Sequence, residues 1–242
     1  MSRNEILENL SLEDIEKLRE DKLKMAGEIP SFKFSGISEN DLDGILNIEQ
    51  KFTKDRFNSW FNSEIVISKD VSDFLKKLIQ KNIDLIYSFK EEDLKIHFLS
   101  PLFFKIDFIS FEKEFRDFYN ETLTYKTDKF IFNGEVDFVL AKGLKRSKSP
   151  YFFIQEFKRG KKNSDPEPQL LAELIAGLEL SKLSEIKGAF IIGAIWNFVI
   201  LEKLGKDSYR YFISENFDST KIDDLTDIYR NLVFIKNKML EI

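Results

Sequence analysis

The sequence predicts a mixed α/β domain, with a central mixed β-sheet flanked by helices. Some segments place apolar residues three or four positions apart, which is the spacing of amphipathic helices. Other, shorter runs are rich in Phe, Ile, Val and Tyr, as strands are. From about residue 90 to the end of the chain, these two kinds of segment follow the order αβββαββ(β)α, after a more helical beginning.

Residues 1–87 are predicted to form a mainly helical extension before a domain at 88–242. A first helix is expected over 11–25, with Ser11 as its N-cap. Its thin apolar stripe consists of Leu12, Ile15, Leu18 and Leu23. Gly, Pro and Ser break the pattern at 27–36, and 37–66 gives no clear period. The next helix is predicted over 68–82, where Val71, Phe74, Leu75 and Leu78 share a face.

The second half of the chain begins with a predicted helix within 89–106, on the spacing of Leu94, Phe98, Leu99, Leu102 and Phe103. Residues 125–143 predict two strands around a turn at Asn133-Gly134, a frequent hairpin signal. A loop over 143–150 then leads to a strand at 151–158. This strand has no consistent alternation, so we expect it to be covered on both faces.

A helix is expected over 165–181, because Asp165 suits the N-cap and Pro166 the first helical position. Pro168 also falls in the first turn, where no helical hydrogen bond is lost. Residues 188–203 predict two strands or one long bent strand. Another strand follows at 208–214, and a closing helix at 223–240.

Composition excludes several classes of site. The chain of 242 residues has no Cys, which rules out disulfides, cysteine nucleophiles and thiolate zinc sites. Its single histidine, His97, rules out mechanisms that need two. The net charge of −5 argues against a globally basic nucleic-acid binder but leaves room for a local basic patch. With no membrane-length apolar run and no signal-peptide pattern, the expected location is the cytoplasm.

Two carboxylates stand in otherwise apolar strands. Asp137 is surrounded in sequence by Val136, Phe138, Val139 and Leu140, and Glu156 ends the run YFFIQ. Burying both without partners would be costly, and a Mg²⁺ ion would resolve that cost because it prefers carboxylate oxygens. Lys158, two residues after Glu156, shares its strand face. It would orient a metal-bound water or neutralise charge on a phosphate. The alternative is a solvated strand end with weak ion pairs.

The segments GEVDFVL, FFIQEFKRG and QLLAE resemble the PD-(D/E)XK nuclease superfamily, which has a restriction-endonuclease-like core. The resemblance covers roughly residues 88–203 and extends to a group of bacterial proteins of that superfamily. It assigns metal-site roles to Asp137, Glu156 and Lys158, and adds the carbonyl of Phe157 as a further ligand. The helix after the third strand often turns a Gln towards the site, and Gln169 fits that position, with Glu173 one turn later.

The stretch EEDLKIHFLSPLF is similar to the beginning of the nuclease domain in type I restriction subunits. That similarity gives Glu91 the acidic role on the first core helix, with Glu92 as the alternative. The residue before Asp137 is Val136 instead of the Pro of the family's name, a departure that is common in the superfamily. The resemblance implies Mg²⁺ as cofactor, with Mn²⁺ as a substitute. It also implies nucleic acid as partner and leaves a homodimer open.

Basic residues surround the predicted strand at 151–158. They are Lys142, Lys145, Arg146 and Lys148 before its core and Lys158, Arg159, Lys161 and Lys162 at its end. Both loops are therefore expected to present cations beside the site, where phosphate contacts would set affinity without reading sequence. The alternative is that these lysines are merely solvated.

Three functions remain open at this point. The leading interpretation is a Mg²⁺-dependent deoxyribonuclease that attacks a phosphodiester with a metal-bound water. The second is a catalytically silent nucleic-acid-binding module of the same fold. The third is a protein-interaction module whose residues 1–87 dock a partner subunit. Metal binding separates the first from the third, and cleavage separates the first from the second.

Overall fold

A computed structural model describes residues 29–158 and 165–241, together with Ser11 and Asp14. The described strands are β1 Ser31–Lys33, β2 Asn47–Gln50, β3 Phe115–Lys126, β4 Ile131–Lys142, β5 Lys148–Lys158, β6 Glu185–Ile192, β7 Ile195–Gly205, β8 Ser208–Ile213 and β9 Phe217–Asp218. The described helices are α1 Glu39–Ile45, α2 Asn58–Phe61, α3 Lys69–Asn82, α4 Glu91–Leu94, α5 Ser100–Ile106, α6 Pro166–Ser181 and α7 Ile222–Leu240. A π-helical segment, Lys95–Leu99, joins α4 to α5. The mixed α/β class predicted from the sequence is confirmed.

The described strands form one sheet in the order β1-β4-β5-β6-β7-β8-β2, with β3 also paired to β4 and β9 to β7. Strands β3, β4 and β5 form an antiparallel meander. Strand β6 runs parallel to β5, and α6 makes the crossover that a parallel pair requires. Strands β6, β7 and β8 are again antiparallel.

The predicted hairpin turn at Asn133-Gly134 is wrong. Both residues lie inside β4, where Asn133 pairs with Thr124 and Gly134 with Leu123 of β3. The turn instead spans residues 127–130, closed by the Thr127 N–H donating to the Phe130 carbonyl at 2.9 Å. Gly134 is required for another reason: its φ is +150°, and a Cβ there would lie 2.9 Å from the Phe34 ring. Because Gly134 has no Cβ, the Phe34 side chain can pack closely against β4 at this position.

Helices cover both faces of the sheet, and a hydrophobic cluster fills each side. On one side, α3, α5 and α7 pack with strand residues such as Phe138, Phe153 and Phe157. On the other side, α6 packs on β5 and β6 and is covered in turn by the segment around Phe34 and Leu42. Strand β5 is therefore covered on both faces, as its lack of alternation predicts.

Most helix limits match the sequence prediction because their caps are local. Ser68 accepts a hydrogen bond from the Val71 N–H at 3.3 Å at the start of α3. Asp165 accepts one from the Glu167 N–H at 3.0 Å at the start of α6, with Pro166 in the first turn. Residues 188–203 resolve into β6 and β7, with a turn at Gly193, where φ is +61°.

The first part of the chain contributes strands as well as helices. Strands β1 and β2 both come from the predicted extension and join the sheet through β4 and β8. Ser11 and Asp14 exchange hydrogen bonds between side chain and backbone, at 3.0 and 3.1 Å, as expected for a helix N-terminus capped by Ser11. The rest of the helix predicted over 11–25 lies outside the described residues.

Candidate functional site

Asp137 lies where the pairing between β4 and β5 stops. The paired residues run from Lys142 and Lys148 to Phe138 and Gln155, and Asp137 is the next residue of β4. Its Oδ2 accepts a hydrogen bond from the Phe157 N–H at 3.0 Å. The carboxylate thus takes the place of the carbonyl that β4 would supply if the ladder continued, and it holds the two strand ends together.

The pairing of β4 with β5 ends one residue before Asp137 and Glu156 would face each other. A further step beyond Phe138 and Gln155 would set Asp137 opposite Glu156. Glu156 pairs in register with Phe190 of β6, which belongs to the cluster on the α6 side. Because paired residues in a sheet point to the same face, the Glu156 side chain lies on the α6 side. It is only 1% exposed, so the buried carboxylate expected from the sequence is present.

Lys95 connects Asp137 to the predicted acidic helix. Its Nζ lies 3.0 Å from Oδ1 of Asp137 and 3.0 Å from Oε1 of Glu91. Oε1 of Glu92 lies 3.5 Å away, and the centre of the Phe157 ring 5.5 Å away. Burial works to lower the pKa of Lys95, but Asp137 and Glu91 outweigh it and raise that pKa above its ordinary value. The ammonium is therefore charged at neutral pH.

The helical segment around Lys95 places its ammonium beside Glu91. Glu91 and Lys95 are four residues apart, so they lie on the same helix face. The π-helical segment begins at Lys95 and precedes Pro101, which has no N–H to donate to the carbonyl of His97. The Asn82 side chain donates to that carbonyl instead, at 3.3 Å. Single π-helical turns of this kind are frequent at functional sites.

Gln169 and Glu173 form a buried pair on α6. The Gln169 Nε2 donates to Oε1 of Glu173 at 3.0 Å. Gln169 is 7% exposed and Glu173 is fully buried, so neither residue lies on the solvent side of the helix. Their place on α6 puts them on the same side of the sheet as Glu156. That Gln169 turns into one site with Asp137 remains a prediction.

The structure gathers some of the predicted site residues and leaves others apart. Within residues 29–158 and 165–241, no group of three or more His, Cys, Asp or Glu side chains is arranged to hold a metal ion. Asp137 and Glu91 meet at Lys95, whereas Glu156 turns towards α6. The backbone of Lys158 ends β5 beside Ile192, but its side chain lies outside what the structure describes. Binding of one ion by Asp137 and Glu156 together stays a prediction.

The loop before β5 is not beside the site, contrary to the expectation from the sequence. Lys142 and Lys148 pair at the far end of the β4–β5 hairpin from Asp137. The five residues from 137 to 142 span about 17 Å along a strand. Lys142 donates to the Lys113 carbonyl at 2.8 Å, while Lys145, Arg146 and Lys148 are exposed. Arg159, Lys161 and Lys162 lie outside the described residues.

Sequence reasoning missed Lys95. The signal was present, because the run EEDLK sets Glu91 and Lys95 at the spacing of a helical ion pair. What the sequence lacks is the distance to Asp137, which lies 42 residues later in the chain. The contact between Lys95 and Asp137 therefore becomes visible only in the folded structure, where the helical segment at Lys95 packs beside the end of β4.

Comparison with known proteins adds no identification. The chain matches no protein-family model, and it matches no curated protein. None of the helices that the structure describes is both long and apolar enough to cross a membrane.

Proposed function

We propose that this protein is a metal-dependent nuclease that hydrolyses phosphodiester bonds, with DNA as the expected substrate. The observation that carries the proposal is the position of Asp137. One of its oxygens accepts from the Phe157 N–H, and the other contacts the Lys95 ammonium, which Glu91 also contacts. The PD-(D/E)XK resemblance expects an acidic strand end and a Glu of the first core helix to share a metal ion, and these two carboxylates share the ammonium.

The order of elements supports the restriction-endonuclease-like core within this proposal. A helix, the three-stranded meander β3–β4–β5, the crossover helix α6 and the parallel strand β6 follow one another in the chain. Asp137 lies on the central strand of the meander, and Glu156 on the next strand.

The donor set suits a hard divalent cation. Asp137 and Glu91 offer carboxylate oxygens, the ligands that Mg²⁺ and Mn²⁺ prefer, and the Lys95 ammonium between them marks a position where positive charge is stabilised. Glu156 and the carbonyl of Phe157 are the further ligands we propose. A bound ion would polarise the phosphate and lower the pKa of a water molecule. Lys158 would hold that water or balance phosphate charge, and Gln169 would help to orient it.

A catalytically silent nucleic-acid-binding module of the same fold is the second candidate. Two observations favour it. The position between Asp137 and Glu91 is already filled by an internal ammonium, and the described residues include no group of three or more His, Cys, Asp or Glu side chains arranged to hold a metal ion. Both candidates predict nucleic-acid binding, so only cleavage separates them.

The testing experiment is a cleavage assay on plasmid DNA, single-stranded DNA and RNA, with Mg²⁺ or Mn²⁺ and with a chelator. We expect the wild-type protein to cut at least one substrate only when metal is present, and Asp137→Asn to abolish cutting. Asp207→Asn is the matched control. Asp207 also pairs with a lysine, Lys129, at 2.7 Å and is 16% exposed, as Asp137 is. Nucleic-acid binding without cleavage under every metal condition would favour the silent module.

A further inference from the structure

Lys95 occupies the place between the two carboxylates that the proposed function assigns to a metal ion. Its ammonium is 3.0 Å from each of Asp137 and Glu91. The side chain is 17% exposed, and the ring of Phe157 lies against it. These contacts hold a full positive charge at the point where two negative side chains from different elements meet.

An ammonium and a divalent ion cannot both occupy this place. Mg²⁺ binds carboxylate oxygens at about 2.0–2.1 Å, so an ion shared by Asp137 and Glu91 would lie between the same two oxygens that contact Lys95. The ammonium would then lie next to a divalent charge, with strong repulsion in a partly buried setting. The metal must therefore displace the lysine.

A third carboxylate already contacts Lys95 on the solvent side. Oε1 of Glu92 lies 3.5 Å from the ammonium, and the Glu92 side chain is 76% exposed. The flexible four-carbon stem of a lysine lets its charge move outwards towards this carboxylate without moving the helix. Glu92 can thus receive the ammonium at the solvent edge of the site.

From this geometry we infer that Lys95 is a built-in counter-cation that exchanges with the metal. Without metal it holds Glu91 and Asp137 together and prevents their mutual repulsion. When metal binds, it leaves for Glu92, and the work of displacing it lowers the affinity for metal. Lys95 is thus a positioning residue that sets the metal concentration at which the site fills. The inference rests on the proposed function, because it takes Asp137 and Glu91 as ligands.

The test is a Mn²⁺ titration followed by electron paramagnetic resonance, which counts free Mn²⁺ and needs no substrate. Lys95→Gln should bind Mn²⁺ more tightly than the wild type, by about tenfold or more, since a charge-assisted pair no longer has to be broken. Lys95→Arg keeps the competing charge, so it should stay near the wild-type affinity. Lys129→Gln, which removes a lysine from the distant pair with Asp207, should change nothing.

The outcomes separate this inference from the function on which it rests. If the wild type and Lys95→Gln bind Mn²⁺ equally, or if Lys95→Gln binds it less well, the exchange is refuted while the metal site stands. If neither protein binds Mn²⁺ at millimolar concentration, the metal site itself is refuted, and the exchange with it. A merely structural lysine would give weaker binding on removal, because the carboxylates would separate.

A second measurement on the wild type guards against misfolding of the variants. Reductive methylation followed by peptide mass spectrometry reports how accessible the Lys95 amine is. Its modification should rise several-fold when Mn²⁺ is added, whereas that of Lys129 should stay constant. No rise at Lys95 under saturating Mn²⁺ would overturn the exchange.

Discussion

At the scale of single residues, Asp137 combines two tasks that need different atoms. Oδ2 replaces a missing backbone acceptor for Phe157, and Oδ1 carries the charge that attracts Lys95. An asparagine could keep the first contact with its amide oxygen, but it would remove the charge. Asp137→Asn therefore separates the structural part of the residue from its electrostatic part, which alanine would not.

The proposed roles predict a contrast between ligands and the lysine. Asp137→Ala and Glu156→Ala should each lose metal binding and cleavage together, because each removes a ligand. Lys158→Ala should keep or tighten metal binding and still lose cleavage by about 10²- to 10³-fold, as expected when one electrostatic group of a site is removed. Isothermal titration with Mn²⁺, a cleavage assay and a thermal melt decide this. A folded Lys158→Ala protein that cuts at the wild-type rate would contradict the mechanism.

Tyr209 gives a prediction for alkaline pH. Burial and the hydrogen bond from its hydroxyl to Glu179, 2.5 Å long, raise the pKa of Tyr209 above its ordinary value. The fold therefore favours the neutral phenol. This contribution to stability is complete below the unfolded-state pKa, about 10, and is lost as pH rises from there through the folded-state pKa.

The measurement is urea unfolding between pH 8 and 11.5. The free energy of unfolding should fall above pH 10, and less steeply in Tyr209→Phe, where Glu179 still has Lys203 at 2.7 Å as a partner. Tyr87→Phe, at a residue that is 71% exposed, is the control. An equal slope in the wild type and in Tyr209→Phe would show that this buried phenol does not govern alkaline stability.

At the scale of elements, the short helix α2 is held by tertiary contacts and not by its own sequence. Trp60 is fully buried, and its Nε1 donates to the Asn231 carbonyl on α7 at 2.9 Å. Its ring meets the edge of Phe198 in β7, with centroids 5.1 Å apart. A helix of four residues has little stability alone, so these contacts define it.

Trp60→Ala should lower the free energy of unfolding by about 3–5 kcal/mol, the range for emptying a large aromatic site in a core. Trp60→Phe should cost less, since it keeps most of the buried ring and loses the hydrogen bond. Urea unfolding monitored by circular dichroism measures both changes. A loss below about 1 kcal/mol in Trp60→Ala would contradict the view that these tertiary contacts hold α2 in place.

These elements also show what the sequence could predict. The limits of α3 and α6 follow from local periods and caps, and those of α7 follow from its period alone. All three agree with the structure within a residue or two. The Asn133-Gly134 turn prediction failed because the glycine is needed for close packing against Phe34, which is 100 residues away in the chain. Within residues 37–66, β2 and α2 depend on partners elsewhere in the fold. Helix α1, in contrast, begins at a local capping box between Ser38 and Asp41, a signal that the sequence reasoning overlooked.

The candidate site was predictable to the same degree. That Asp137 and Glu156 lie on neighbouring strands could be predicted, because two apolar strands with lone carboxylates follow each other in the chain. The position of the loop at 143–147 was wrong, because the antiparallel register carries it to the other end of the hairpin. Lys95 was missed because its contact with Asp137 crosses from a helix to the sheet.

At the scale of the whole molecule, two short strands from the first part of the chain belong to the sheet. Strand β1 pairs with β4 and strand β2 with β8, although only 13 positions separate Lys33 from Asn47. Because β3 occupies the other edge of β4 along its whole length, β3 and not β1 is the outer strand on that side. The division predicted at residue 88 therefore does not separate the sheet from the region before it.

The basic loop gives a prediction about nucleic-acid binding at this scale. Lys145, Arg146 and Lys148 are exposed about 17 Å along the hairpin from Asp137. If a duplex spans both places, changing all three to Gln should weaken DNA binding. The slope of log K against log salt should also fall by about 0.9 for each phosphate that the protein no longer neutralises. Lys76→Gln with Lys77→Gln, on the exposed face of α3, is the control. Unchanged affinity and slope would place the nucleic-acid footprint elsewhere.

The central claim is that the Asp137 carboxylate binds a divalent metal ion, and crystallography tests it most directly. Crystals grown with Mn²⁺ should show an anomalous difference peak about 2.0–2.4 Å from a carboxylate oxygen of Asp137. Glu91 should supply a second ligand, and the ammonium of Lys95 should have moved away from its present position between Asp137 and Glu91. The same peak should be missing from Asp137→Asn crystals and present in Asp207→Asn crystals. Wild-type crystals at millimolar Mn²⁺ with no peak at Asp137, and with Lys95 still bridging Asp137 and Glu91, would contradict the account.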